Sequence, residues 1–190
     1  MAPNIEFFPF DDGPGANSEE NRWGDMMKYM RTTGILTTSN TLSPTGDSAI
    51  APQLNMQIQA YHGESWVEGF MFIHTGDTYP LVINDNTSGD PRIDLVTLRL
   101  DRDANTIEYH VEEGTPDPSP VAPTPVQDDV IWDLPLAEIA VSDGATVITT
   151  MDITDVRTRS YQAQKGSSNL VAGSGITITY VGDQIVISSP

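Results

Sequence analysis

The chain has no cysteine, only nine lysines and arginines, and no apolar run approaching the ~20 residues that cross a bilayer as a helix. The first absence excludes thiol catalysis, thiolate metal sites and a disulfide framework. The second, set against 27 acidic residues, gives a formal net charge of −18 with no basic cluster to offset it. A surface of that sign repels nucleic acid and anionic membrane, so neither is an expected partner. The N-terminal MAPNIEFFPFDD lacks a basic region followed by an apolar core, and ordinary export is not expected. A glycine-rich phosphate loop, a nucleophile elbow and a basic aromatic stripe are also missing, and no cofactor is expected. At 190 residues the chain is long enough to bury a core as one or two domains without covalent staples.

What is present is dominated by PRIDLVTLRLDRDANTIEYHVEE, residues 91–113. A four-residue loop over residues 102–105 sets Asp101 opposite Thr106, and everything behind falls into register. Leu100 then faces Ile107, Leu98 faces Tyr109 and Val96 faces Val111, which makes one side apolar. The other side pairs Arg99 with Glu108 and Thr97 with His110, a pattern suited to a wetter face.

The remaining chain divides around this hairpin. Residues 1–16, with Phe7, Phe8 and Phe10 interleaved by Pro and Gly, read as an extended arm whose aromatic anchors dock on another surface. Asn17 with Glu20 can cap a short helix carrying Trp23, Met26, Met27 and Met30 on a core-facing stripe and ending near Gly34. Period-two alternation at Leu54, Met56, Ile58 and Ala60, then from Trp66 to Ile73, then from Leu81 to Ile83, predicts strands. Residues 114–127 hold Pro116, Pro118, Pro120, Pro123 and Pro125 and predict an extended connector crossing the surface. Leu136, Ile139 and Val141, followed by a turn at residues 142–145 and then Val147 and Ile148, predict a further short pair of strand-like arms. Arg157 after Asp152 and Asp155 suggests a small polar network.

Residues 17–158 thus form a mainly β domain, a small antiparallel sheet or open barrel with one short N-terminal helix. Residues 159–168 lack periodicity and read as a linker to a C-terminal module, residues 169–190. There Gly182-Asp183 suits a two-residue turn that places Ile176, Ile178, Tyr180, Ile185 and Ile187 on one face. A lone hairpin with such a face needs cover, and three copies around an axis supply it, so a homotrimer is expected.

Candidate chemistry is sparse. Asp101, Asp103, Asn105 and Glu112 match positions 1, 3, 5 and 12 of a calcium loop, with Thr106 where glycine is required. The hairpin register carries Glu112 about 20 Å from the loop at ~3.3 Å per residue, which removes it from any such site. His62, His74 and His110 lack metal-ligand spacing, and no metal site is assigned. Glu64, Glu68, Asp77 and Asp94 supply carboxylates of the kind a glycosidase pairs, but nothing in the sequence selects a pair, so no catalytic residue is assigned. Asn86-Thr87-Ser88 matches a glycosylation sequon and reads as a turn.

FPFDDGPGAN, the helix containing Trp23, ESWVEGFMF, PRIDLVTLRLDRDANTI, the proline-rich connector and DLPLAEIAVSDGATVITTMDITDVR resemble, in that order, minor tail proteins of long-tailed bacteriophages. The resemblance covers residues 6–158 and implies a non-enzymatic virion protein of the tail tip or baseplate, joining the hub to the host-attachment apparatus beside other tail proteins. GSGITITYVGDQIVISS is similar to short β segments of trimeric phage fibres. Alternatives carried with this reading are direct recognition of host surface glycan through Trp66 or Trp132, a head-fibre or decoration protein, and a glycan-cleaving tail enzyme.

Overall fold

Short alternating segments separated by turn residues assemble into antiparallel sheets, and the chain is mainly β, with one short α-helix among the described residues. The computed structural model describes residues 20–162 and the strands Thr177–Val181 and Gln184–Ser188. Helix α1 (Glu20–Lys28) precedes β1 (Gly34–Leu36), β2 (Ile50–Pro52), β3 (Gln57–Ala60), β4 (Gly63–Val67), β5 (Phe70–His74) and β6 (Tyr79–Val82). The long strands β7 (Arg92–Asp101), β8 (Thr106–Glu112) and β9 (Ile131–Val141) follow, then a 3-10 turn at Thr150–Asp152 and β10 (Ile153–Asp155). β11 (Thr177–Val181) and β12 (Gln184–Ser188) complete the described chain.

The base is a four-stranded sheet in the order β10-β9-β7-β8. Its β7/β8 register is the expected one, from Asp101 opposite Thr106 back through Val96 opposite Val111. Over its apolar face lie two three-stranded sheets, β2-β3-β6 and β1-β4-β5, and none of the three closes into a barrel among the described residues. Each upper sheet has its own core. Ile58, Leu81 and Ile83 meet Val96, Ile139 and Val141, while Ile35 and Val67 meet Leu98, Leu100, Leu134 and Leu136. Full burial of such side chains contributes roughly 1.5–3 kcal/mol each, which is what holds the layers together. Ile50 and Tyr109 pack against both cores and join them.

Several expectations change. The stretch from Trp66 to Ile73 is two strands, because Glu68 (φ 48°) and Gly69 (φ 90°) make a two-residue turn and Val67 pairs with Phe70. Leu54 is 78% exposed and stands outside the alternation that buries Met56, Ile58 and Ala60. The helix stops at Lys28, and Trp23 and Met30 are exposed rather than core-facing. α1 packs through Gly24 instead, where a Cβ would lie 2.8 Å from the Phe70 ring and where the Gly24 backbone leaves no room for a side chain on Gly69. β9 is a full eleven-residue strand beside β7, not a short arm, with a register shift at Val96/Thr97 that accommodates Pro135.

The reading of residues 159–168 as linker fails for the first four. Ile35 N–H donates to the Thr158 carbonyl and Ser160 N–H to the Ile35 carbonyl, both at 2.8 Å, and Thr32 N–H reaches the Tyr161 carbonyl at 2.8 Å. The Ser160 hydroxyl adds a bond to the Thr32 carbonyl at 2.6 Å and accepts from Arg31 Nε at 3.1 Å, contacts that span more than a hundred residues and leave no local period. In the C-terminal hairpin Ile178 pairs with Ile187 and Tyr180 with Ile185, the expected register. Ile176 and residues 1–19 lie outside the described residues, and with them Phe7, Phe8 and Phe10.

Candidate functional site

Two buried arginine–carboxylate pairs lie at opposite ends of β7. The β7 face carrying Leu95, Thr97 and Arg99 is not the wetter side that alternation suggests, since Thr97 is 0% and Asp133 1% exposed. Arg99 does not take Glu108. It turns to β9, where Nε and Nη2 each reach Asp133 at 2.8 Å, with Glu112 a second partner at 3.4 Å. The cause is the strand order: β7 has a neighbour on both sides, and Asp133 is the carboxylate withdrawn from water. Burial pushes the Asp133 carboxyl up, but the Arg99 fork, the Val126 N–H and the Thr97 hydroxyl together hold it below the usual aspartate range. The Asp133 hydrogen bonds raise the Arg99 guanidinium against its own burial.

A second pair lies at the other end of β7. Arg92 Nε donates to Asp94 Oδ1 at 2.8 Å, and its Nη2 donates to the Asn84 carbonyl at 2.7 Å. Asp94 also accepts the Gly114 N–H at 2.9 Å, where the connector begins, and Val126 N–H meets Asp133 Oδ2 at 3.0 Å, where it ends. The connector is therefore pinned at both ends by carboxylates that arginines already hold. Both carboxylates are 1% exposed and bonded to an arginine and to the connector backbone, an arrangement that fastens a strap.

An open cleft of about 850 Å³ is lined by Arg31, Thr37, Thr38, Asp47, His62 and Glu64 among others. Its rim loop is fixed by Arg157, whose Nη1 donates to the Ser43, Gly46 and Asp47 carbonyls at 3.2, 3.1 and 2.7 Å while Nη2 pairs with Asp155 at 2.6 Å. The expected Arg157 network thus includes Asp155 and not Asp152, which accepts from Thr149 instead. Hydroxyls, one guanidinium and two carboxylates suit the cleft to hydrogen-bonding a neutral polar ligand.

Next to it, Tyr109 hydroxyl meets His74 Nδ1 at 3.0 Å, and His74 Nε2 meets the Asp77 carbonyl at 2.8 Å. Burial pushes the Tyr109 phenol up to about 12, so it stays protonated and serves as a tether between layers. Sequence reasoning placed Tyr109 on the apolar face and missed this polar end.

The other sequence-selected residues scatter into separate roles. Glu68 pairs with Lys28 at 3.0 Å and accepts from Thr33; Asp94 is buried with Arg92; Glu64 and Asp77 are exposed. His110 meets Glu112 at 3.0 Å, and His62 stands exposed at the cleft. Glu112 lies opposite Leu95, six positions behind the loop tip, and Asp101 Oδ1 is engaged by the Asp103 and Ala104 N–H groups. Trp66 and Trp132 are partly exposed, with their indole nitrogens buried. Asn86 is buried, donating to the Asp90 and Val141 carbonyls, and is a structural corner rather than an accessible sequon. No family model, curated protein or solved structure matches this chain.

Proposed function

We propose that this is a non-enzymatic structural virion protein of a phage tail tip or baseplate, joining the tail hub to the host-attachment apparatus as a homotrimer. The observation that carries the oligomeric part is the C-terminal hairpin. β11 and β12 pair only with each other among the described residues, and their register sets Ile178 against Ile187 and Tyr180 against Ile185. An isolated two-stranded ribbon of that composition is marginal in water and gains stability by association. The body supports the same reading, because its buried carboxylates are held in structural ion pairs. Several copies held in fixed geometry give attachment by avidity without a strong single contact. Light scattering on the intact protein is expected to return a trimeric mass, and a monomeric mass refutes the oligomer. Deleting residues 1–15 is expected to leave a folded trimer that fails to enter particles, and normal incorporation refutes a docking role for the arm.

A second reading, direct recognition of host surface glycan, is favoured by the hydroxyl-rich cleft rather than by Trp66 or Trp132. Binding of the isolated protein to host cells, lost on His62→Ala with Glu64→Gln, would select it over the pure adaptor.

A further inference from the structure

Among the described residues, the outer strands of the three body sheets are guarded in different ways, and one of them is not guarded. β2 and β6 carry Pro52 and Pro80, β8 carries Glu108 and Glu112, and β10 is three residues long with Asp155 at its end. β1 is covered, because residues 158 and 160 bond to Ile35. β5, FMFIH, has no proline, lysine or carboxylate, and its Met71 and Ile73 side chains are 48% and 55% exposed. The turn before it decides which backbone groups point outward. Val67 and Phe70 close the two-residue Glu68-Gly69 turn and exchange both hydrogen bonds, so Phe72 and His74 bond to β4 in the same way. Met71 and Ile73 are left with their N–H and C=O groups on the open side.

We propose that β5 of a second copy pairs with this edge about a twofold axis through Phe72, joining two bodies through a continuous sheet. The edge is its own complement. With Phe72 opposite Phe72 of the other copy, Met71 of each falls opposite Ile73 of the other, and the outward groups satisfy one another with none left over. The exposed Met71 and Ile73 side chains then cover each other on the outer face. On the inner face a groove of about 320 Å³ along β5, lined by Phe70, Phe72, Leu100 and Ile107, meets its counterpart. Charge favours the same occupant. A chain of net charge −18 meets its own copies with least repulsion where no carboxylate stands, and β5 is such a stretch. Arg102 lines the groove beside the Glu68 turn, and Asp77 is exposed past the far end of β5, so the antiparallel fit turns each copy's guanidinium toward the other's carboxylate. Five residues of edge fall short of the ~1,200 Å² of a stable free-standing interface, so the contact serves copies already held at high density. It does not involve the C-terminal hairpin and does not depend on the tail-tip reading.

The chain has no cysteine, so the register can be read by cross-linking on the full-length protein. Chains carrying Met71→Cys and chains carrying Ile73→Cys are mixed at high concentration under mild oxidation and run on a non-reducing gel. The twofold register puts those two positions about 5.5 Å apart between Cα atoms, within disulfide reach, and sets each position two residues out of step with its own counterpart. A covalent dimer is expected in the mixture, and only background in either variant alone. Adding Ile73→Pro to the Met71→Cys chain removes an outward N–H that β4 does not use, and should abolish the mixed product while the melting curve shows the body still folded. Equal cross-linking in a single-variant sample, or a mixed product that survives Ile73→Pro, overturns the proposal. No product in the mixture overturns it as well and assigns the edge to a protein other than this one.

Discussion

Along β7 the two faces of the four-stranded base sheet are both buried, and they are buried for opposite reasons. One buries Val96, Leu98, Leu100, Leu134 and Ile139 against the upper sheets. The other buries Thr97 and Asp133, with Arg99 forked onto Asp133, on the side where the connector is fastened. Apolar packing is non-directional and tolerates small shifts, whereas the ion pair is fixed in angle and length and carries a large desolvation cost on each partner. The apolar face thus supplies cohesion, and the charged face holds the end of the connector at Val126.

Removing one charged partner should do the most damage. Asp133→Ala leaves Arg99 without its principal carboxylate, and urea unfolding is expected to show a loss of about 3–5 kcal/mol. Replacing both partners, Arg99→Met with Asp133→Leu, should recover most of that loss; no recovery would mean that the connector, not the ion pair, is what the site stabilises. On the opposite face Leu98→Ala should cost ~2–5 kcal/mol through the cavity it leaves. A much smaller loss there would break the comparison by showing that the sheet has only one tight face.

The faces should also separate by pH. Asp133 and Asp155 are held below the ordinary aspartate range, by Arg99 and by Arg157 respectively, in each case against a burial contribution that raises them. Their folded-state pKa values lie below the unfolded ones, so their stabilisation is complete above about pH 4 and is lost as pH falls through the folded values. Melting temperature is expected to drop on acidification below that point, and the drop should be shallower in the Arg99→Met, Asp133→Leu protein. At the small end, Tyr109→Phe should cost about 1 kcal/mol by removing the hydroxyl that meets His74. Smaller still, adding calcium should leave the melting temperature unchanged, because Glu112 is held at the far end of the hairpin and Asp101 is engaged by its own turn.

The register of β7 with β8 was legible because period-two alternation runs into a loop with a single workable length. The β4 to β5 turn was hidden because Glu68-Gly69 sits within a largely apolar stretch from Trp66 to Ile73 and Glu is an uncommon residue at positive φ. β9 was underread because Pro135 argues against a central strand, and it is tolerated here since the bulge lies beside it and β10 pairs only as far as Ala137. The polar character of Thr97 and Arg99 was legible, but their burial was not: alternation reports which residues share a face and is silent on what covers it. For the site, the three histidines and the acidic residues were found in sequence, while the Arg157 clasp on Ser43, Gly46 and Asp47 spans more than a hundred residues and leaves no local signal.

The connector has one more property when many copies are packed side by side. Pro116, Pro118, Pro120, Pro123 and Pro125 have no amide proton, so an extended stretch on the outside of the body offers an approaching chain carbonyls but few donors. A strand that drifts against it finds no ladder to complete. As an electrical insulator separates conductors, such a segment would keep β-rich neighbours laid against it from fusing into a common sheet.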